Sequence, residues 1–226
     1  MKLMHYSPNK LCLFDLDGTL VHHENDHFYN VAITIYNNLG KTAPSAQYFN
    51  EMLEKHTLFS DIPEIERQEF QLEFWKCFEK ANWPMAREID GAVECLERFV
   101  IAGSKVAIVT ARTQLPDEVE HCLKDTGLLK HIHVVSTMGE PDLLNRITTP
   151  DLKVPQIYKV CKRVGVPPND CMLAGDAPHD ITSAQLAGVN LTVALLSGGA
   201  RKELLESVNP NILTESVVTM CNHFKW

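Results

Sequence analysis

The chain of 226 residues has no apolar run approaching the eighteen or so residues that a membrane-crossing helix needs. Its longest candidates, such as Leu191 to Leu196, are strand-sized, so a membrane-spanning role is not expected. It also lacks any stretch in which Lys and Arg concentrate. Twenty-nine acidic residues against 21 basic ones leave a net charge of -8, which disfavours nucleic acid as a partner. None of its seven cysteines (Cys12, Cys77, Cys95, Cys122, Cys161, Cys171 and Cys221) forms a CxxC pair. Several stand in apolar segments and read as small core residues. The opening stretch MKLMHYSPNKLCLF lacks the apolar core of a signal peptide before Asp15. These absences together lead to the expectation of a soluble protein in a reducing cytoplasm. Internal repeats and low-complexity segments are missing too. What remains is ordinary for a folded globular chain: 45% apolar, 22% charged, with 11 Gly and 12 Pro. The length suits one large domain, or one with an insertion.

Short apolar runs at Leu11 to Phe14, Val106 to Val109, Ile132 to Val135, Met172 to Ala174 and Leu191 to Leu196 read as buried strands. Helical patterns alternate with them: Ala92 to Ile101, Asp117 to Leu123, Gln156 to Val164 and Ile181 to Ala187. Such alternation predicts an α/β fold with a parallel sheet covered on both faces and functional groups at the carboxyl ends of the strands. Gly103, Gly127, Gly165 and Gly188 each stand where a glycine would stop the preceding helix. One interval breaks the alternation. Residues 21–88 hold only helical stretches (Phe28 to Leu39, Ala46 to His56, Ile65 to Lys80), so a helical unit is expected there, inserted into a domain made of residues 1–20 and 89–226. Thr137 to Leu152 is the one long irregular stretch.

The chemistry concentrates at strand ends. Asp15 and Asp17 follow the first strand directly, in Phe14-Asp15-Leu16-Asp17-Gly18-Thr19. Asp-Gly alone would be read as a turn, but a pair of acids closing a buried strand sits where α/β proteins bind ligands. Thr110 ends another strand, Asp176 a third, and Asp180 follows four residues on. If these strands are neighbours, at least three carboxylates converge and repel unless a cation sits among them. Oxygen ligands of that kind suit Mg²⁺. Lys153 opens a helical pattern, where a cation opposes the helix dipole; beside an anionic centre the placement becomes intelligible.

This set resembles the haloacid dehalogenase superfamily of aspartate-nucleophile hydrolases. Its DxDGT motif is Asp15 to Thr19, its second motif Thr110 in VAIVTAR, its third Lys153, and its fourth, GDxxxD, Gly175 to Asp180. The match is in order and spans nearly the whole chain, and Pro167 to Gly188 also looks like the corresponding family segment. The resemblance implies a Rossmann-like core with a helical C1-type cap after the first motif. It further implies that Asp15 attacks phosphorus, and that Asp17 protonates the leaving oxygen and later takes a proton from water. It implies Mg²⁺ held by Asp15, by the Asp17 carbonyl and by Asp176, with Asp180 acting through water. Thr110, Ala111 and Lys153, with backbone N–H groups after Asp15, would hold the phosphoryl oxygens. Dehalogenases and phosphonoacetaldehyde hydrolases of the family lack the second acid of the first motif, so Asp17 favours C–O–P chemistry. Members similar to phosphoglycolate phosphatase often have an acid where this chain has His22, and Lys-Pro where it has Lys153-Val154.

Other signals are weaker. His23-Glu24-Asn25-Asp26-His27 matches HExxH, the zinc metalloprotease pattern, but in a polar stretch without the apolar-backed helix that zinc sites of this kind need. His22 or His23 facing substrate is the alternative. Lys55, His56, Arg67, Trp75 and Trp83 in the inserted unit read as surface charges and core aromatics before they read as substrate contacts. Arg112 is either a contact for a substrate anion or a solvated loop arginine, and Ser197-Gly198-Gly199 a strand-to-helix turn. The expectation is an Mg²⁺-dependent phosphatase acting on a small soluble phosphorylated metabolite, monomeric or homodimeric. A β-phosphoglucomutase-like phosphomutase and an idle phosphate-ligand binding protein are the alternatives.

Overall fold

A computed structural model of the chain describes residues 6–23, 25–55, 57–80, 85–141, 143 and 153–226. Six strands form one sheet: β1 (Leu11–Phe14), β2 (Lys105–Thr110), β3 (Val134–Thr137), β4 (Cys171–Gly175), β5 (Leu191–Leu195) and β6 (Ile212–Thr214). The order is β3-β2-β1-β4-β5-β6 and every pairing is parallel. This is the doubly wound Rossmann-like order, whose direction reverses between β1 and β4.

The position of the first charge follows from burial. Leu11 and Leu13 pack on one face with Ile157 and Val160 of α6 (Val154–Val164). Cys12 and Phe14 pack on the other with Cys95, Leu96 and Phe99 of α4 (Ala92–Ile101). Side chains alternate between faces, and both faces are covered, so β1 has no position for a polar group until it ends. Asp15 is that end.

The sequence expectations need several corrections. The strand placed at Ile132 to Val135 begins at Val134 and runs to Thr137. Three elements carried no readable pattern because each is short: β6 has three residues, α8 (Lys202–Ser207) six and α9 (Val217–Met220) four. Gly103, Gly165 and Gly188 have positive φ, as helix-ending glycines do, but Gly127 has φ −75°. Its constraint is room: a Cβ there would come within 2.9 Å of Val93. The irregular stretch after Thr137 falls largely outside the described residues.

Internal contacts divide the chain into two compact units, one of Met1–His22 with Met85–Trp226 and the other His23–Pro84. The second is helical, with α1 (Asn25–Asn38), α2 (Ala46–Glu54) and α3 (Glu64–Lys80). Its core is aromatic: Phe59 lies 4.9 Å from both Phe70 and Phe74, and Tyr36 lies 4.6 Å from Phe70. The buried Tyr36 hydroxyl donates to the Asp61 carboxylate at 2.7 Å, which satisfies the one polar atom on that ring. Ser45 caps α2 by accepting from Tyr48 N–H at 3.2 Å.

All seven cysteines are free thiols, and all but Cys77 are buried. Among the described residues no helix is long and apolar enough to cross a membrane.

Phe99 is fully buried, with ring contacts to Phe14 at 6.0 Å and Phe224 at 5.0 Å. Phe99→Ala is expected to cost about 3–5 kcal/mol in urea denaturation. Ile101→Ala, on the same helix but 79% exposed, is expected to stay within about 0.5 kcal/mol of wild type.

Candidate active site

The candidate site is built where β1, β2 and β4 end. Phe14 is in register with Ile108 on one side and Ala174 on the other, so Asp15, Thr110 and Asp176 emerge from three adjacent strands at the same edge. The Asp15 N–H donates to the Ala174 carbonyl at 2.9 Å, which pins the residue as a last rung of the ladder. All three side chains are buried.

Lys153 stands at the N-terminal boundary of α6 and is buried with them. Its Nζ donates to Asp15 Oδ1 at 2.5 Å and to Asp180 Oδ1 at 2.5 Å. Asp180 lies in the first turn of α7 (Pro178–Leu186), and its Oδ2 accepts from the Ala177 N–H at 2.9 Å. Both of its oxygens are thus engaged, and a carboxylate in a first helical turn suits the helix dipole. Thr19 Oγ1 donates to Asp176 Oδ1 at 3.1 Å. Asp15, Asp176 and Asp180 each bring a carboxylate oxygen into a group spanning no more than 4.8 Å.

The charges respond to this crowding in different directions. Burial pushes the Asp15 carboxyl well above the usual carboxylate range; Lys153 opposes the shift, and Asp180 and Asp176 add to it. Burial also acts to raise Asp180, yet Lys153, His179 and the Ala177 N–H outweigh it and hold the group low. Lys153 itself would lose its proton more easily for being buried, but Asp15 and Asp180 hold the ammonium firmly charged.

Asp17 has a different partner. Arg112 reaches it from the loop after β2, with Nε donating to Oδ2 at 2.8 Å and Nη2 to Oδ1 at 2.6 Å, a two-bond fork. The guanidinium side chain is 3% exposed and the carboxylate 18%. Burial would lower the Arg112 pKa; Asp17 beside it reverses that, and the group is held above its ordinary value. The reading of Arg112 as a solvated loop residue is therefore overturned.

Close approach explains further residues. A Cβ at Gly175 would overlap the Asp180 side chain, and one at Gly198 would overlap the Asp176 carboxylate. Ser197 Oγ donates to the Gly18 carbonyl at 2.9 Å. The Ser197-Gly198 segment, expected as a plain turn, is part of the wall of the site. Gln156 was missed altogether: buried in α6, its amide donates to the Thr110 carbonyl at 2.8 Å and the Ser136 carbonyl at 3.1 Å, holding the ends of β2 and β3. Thr110 Oγ1 accepts from the Arg112 N–H at 3.2 Å and keeps its own proton to donate. Ala111 follows it in the same loop, half-buried.

The zinc pattern is not assembled. His23 precedes α1 and His27 lies in its first turn, so the two do not share a helical face, while Glu24 lies outside the described residues. Among the described residues the only group of three potential metal ligands is Asp15, Asp176 and Asp180. In the helical unit Lys55 pairs with Glu51 at 3.5 Å, and Arg67 donates to the Ile62 carbonyl at 3.0 Å. His56, Trp83 and the Trp75 side chain lie outside the described residues.

A family model described as haloacid dehalogenase-like hydrolase matches residues 12–194. Pyrophosphatase PpaX of Bacillus cereus (strain AH820) is 26% identical over 208 residues, covering 91% of each chain. Among solved structures, a haloacid dehalogenase-like family hydrolase from Streptococcus pneumoniae aligns with TM-score 0.71 at 16% identity, over 96% of this chain and 98% of its own. A predicted phosphoglycolate phosphatase from Haemophilus somnus aligns with TM-score 0.68 at 19% identity, over 96% and 98%.

Lys153→Met removes the one charge that both Asp15 and Asp180 share. Measured by urea denaturation with chelator present, it is expected to cost about 3–5 kcal/mol. In an Asp180→Asn background the same change is expected to cost less, because fewer buried carboxylates are left uncompensated.

Proposed function

The chain belongs to the haloacid dehalogenase-like hydrolase family, and on that premise we propose that it is a phosphatase that hydrolyses a small phosphorylated metabolite through a phosphoenzyme on Asp15. The observation that carries this reading is the convergence of Asp15 with Lys153, Thr110 and two further buried carboxylates at the switch point of the sheet.

In the proposed reaction, a carboxylate oxygen of Asp15 attacks phosphorus and the bond from phosphorus to the leaving oxygen breaks. Asp17, a carboxylate while it is forked by Arg112, takes up a proton from solvent as substrate binds and gives it to that oxygen. It then takes a proton from water, whose oxygen bonds to phosphorus while the bond to Asp15 breaks. Inorganic phosphate is released and both aspartates return to their starting state. Lys153 and the Thr110 hydroxyl hold the phosphoryl oxygens, with Ala111 in the same loop supplying backbone to the cradle. Gln156 keeps the Thr110 strand end in place.

The donor set fits a hard divalent cation. Three carboxylate oxygens lie close together, they outnumber the single ammonium among them, and the upward shift of Asp15 has the excess of negative charge as one cause. Asp15 and Asp176, with the Asp17 carbonyl, would hold Mg²⁺. Asp180, whose oxygens already accept from Lys153 and Ala177, would act through water. Such an ion would supply positive charge between two anions, nucleophile and phosphate, that otherwise repel. Residues 21–88 are read as the inserted helical cap of the family.

Purified protein is expected to release inorganic phosphate from p-nitrophenyl phosphate, to lose this activity in EDTA and to regain it with Mg²⁺. Asp15→Asn is expected to lower kcat roughly a thousandfold or more, the scale of losing a covalent nucleophile. Asp17→Asn is expected to lower it about 10²- to 10⁴-fold. Full activity of Asp15→Asn, undiminished activity in EDTA, or isomerisation of a sugar phosphate without phosphate release would contradict the reading.

A further inference from the structure

A pair of thiols that the phosphoryl chemistry does not use lies at the opposite edge of the sheet from the carboxylates. Cys161 is on the buried face of α6, and Cys171, ten positions on, is the first residue of β4. Their sulfurs are 3.6 Å apart, in a buried cluster with Leu11, Leu13 and Leu173. The Cys171 S–H has two acceptors within reach, Cys161 Sγ and the Pro167 carbonyl at 3.2 Å. Packing accounts for a single buried cysteine, which fills space as a small apolar residue does. Two thiols in contact also offer chemistry, because a bond between them needs a separation of about 2 Å, an approach of roughly 1.5 Å.

The two residues differ in freedom. Cys171 is fully buried and held in the sheet, in register with Leu11 of β1, and its carbonyl accepts from the Asn190 N–H at 3.2 Å. Cys161 is 5% exposed and stands in the last turn of α6, which Gly165 ends at φ 77°. Its carbonyl accepts from the Gly165 N–H at 2.9 Å and the Val166 N–H at 3.1 Å. Helix ends open more readily than central strands, so Cys161 is the sulfur that a small solute reaches and the one that can move. The Cys171 S–H beside it also holds the Cys161 thiol below its ordinary value, which favours the reactive thiolate.

We propose that Cys161 and Cys171 form a reversible oxidation site that takes a peroxide, with Cys161 reacting first and Cys171 closing a disulfide. The Cys161 sulfur attacks one peroxide oxygen and the O–O bond breaks; the departing hydroxide takes the Cys161 proton and leaves as water, with a sulfenic acid on Cys161. The Cys171 sulfur then attacks the Cys161 sulfur, the S–O bond breaks, and the hydroxide takes the Cys171 proton and leaves as a second water. Two thiols are oxidised and one peroxide is reduced. The bridge ties the end of α6 to β4 and closes a short loop, which constrains the unfolded chain more than it alters the folded one. The site does not depend on which reaction the carboxylates perform.

In the test, reduced protein is treated with a small excess of hydrogen peroxide, quenched with catalase, blocked with iodoacetamide in denaturant and digested with trypsin, which cuts between the two cysteines at Lys162 and Arg163. The expected product is a peptide pair joined through Cys161 and Cys171, lighter than the reduced pair by two hydrogens and separated by dithiothreitol. The oxidised protein is expected to melt about 4–10 °C above the reduced one, the scale of a short-loop disulfide in a chain of this size. Peroxide is expected to leave the melting of Cys161→Ala unchanged. A link that forms only after unfolding, or one between Cys95 and Cys221, another pair of hydrogen-bonded thiols, in its place, would overturn the proposal. Cys161 carried on to sulfinic acid with Cys171 still free would do the same. So would a linked protein that melts no higher than the reduced one. The peptide mapping of wild type stands even if a variant does not fold.

Discussion

One ammonium group holds the centre of this molecule together. Asp15, Asp176 and Asp180 lie at the ends of buried elements, all three are buried, and carboxylates so close raise one another's cost of ionisation. Lys153 answers part of that cost by standing 2.5 Å from two of them, and it can do so only because α6 begins at the same sheet edge. The residue is poor local design. A cation at a helix N-terminus opposes the dipole, and a buried lysine gives up its hydration. Placed among three acids, the same residue becomes the compensation that lets the sheet edge be anionic at all. Local preference and site chemistry conflict here, and the site prevails.

The fold explains why the acids are where they are. A central strand covered on both faces excludes charge along its length, so polar residues accumulate where it stops. In a sheet that reverses its winding between β1 and β4, the ends of those strands open on one crevice. Asp15 and Asp176 therefore meet because of topology, although 161 residues separate them. The glycines at 175 and 198 then matter for what they lack, since a methyl group at either would occupy space that Asp180 or Asp176 fills.

Much of this was legible beforehand, and for definite reasons. Leu11 to Phe14 is an apolar run that stops abruptly at an acid, and Met172 to Ala174 is another followed by Gly-Asp; both patterns are local, and both resemble family motifs. Helix α4 was read with its exact ends because its apolar stripe and the glycine after it are local too. The strand β6 and the helices α8 and α9 escaped because three to six residues cannot establish a period. The fork from Arg112 to Asp17 escaped for another reason. Its members are 95 residues apart, and nothing in Ala111-Arg112-Thr113 separates an arginine turned inward from one in solvent. Gln156 hides likewise, as a polar residue in a helix whose burial depends on the carbonyls of Thr110 and Ser136 being within reach.

The proposed reaction turns on covalent participation of Asp15 at phosphorus, which the stereochemistry of turnover reports without requiring an intermediate to accumulate. A phosphorothioate substrate made chiral at phosphorus by one heavy oxygen isotope, hydrolysed in water carrying the third isotope, yields a chiral thiophosphate whose configuration distinguishes one displacement from two. Two successive in-line displacements, first by the carboxylate and then by water, predict net retention of configuration. Net inversion would mean that water attacks phosphorus directly, and would contradict the account.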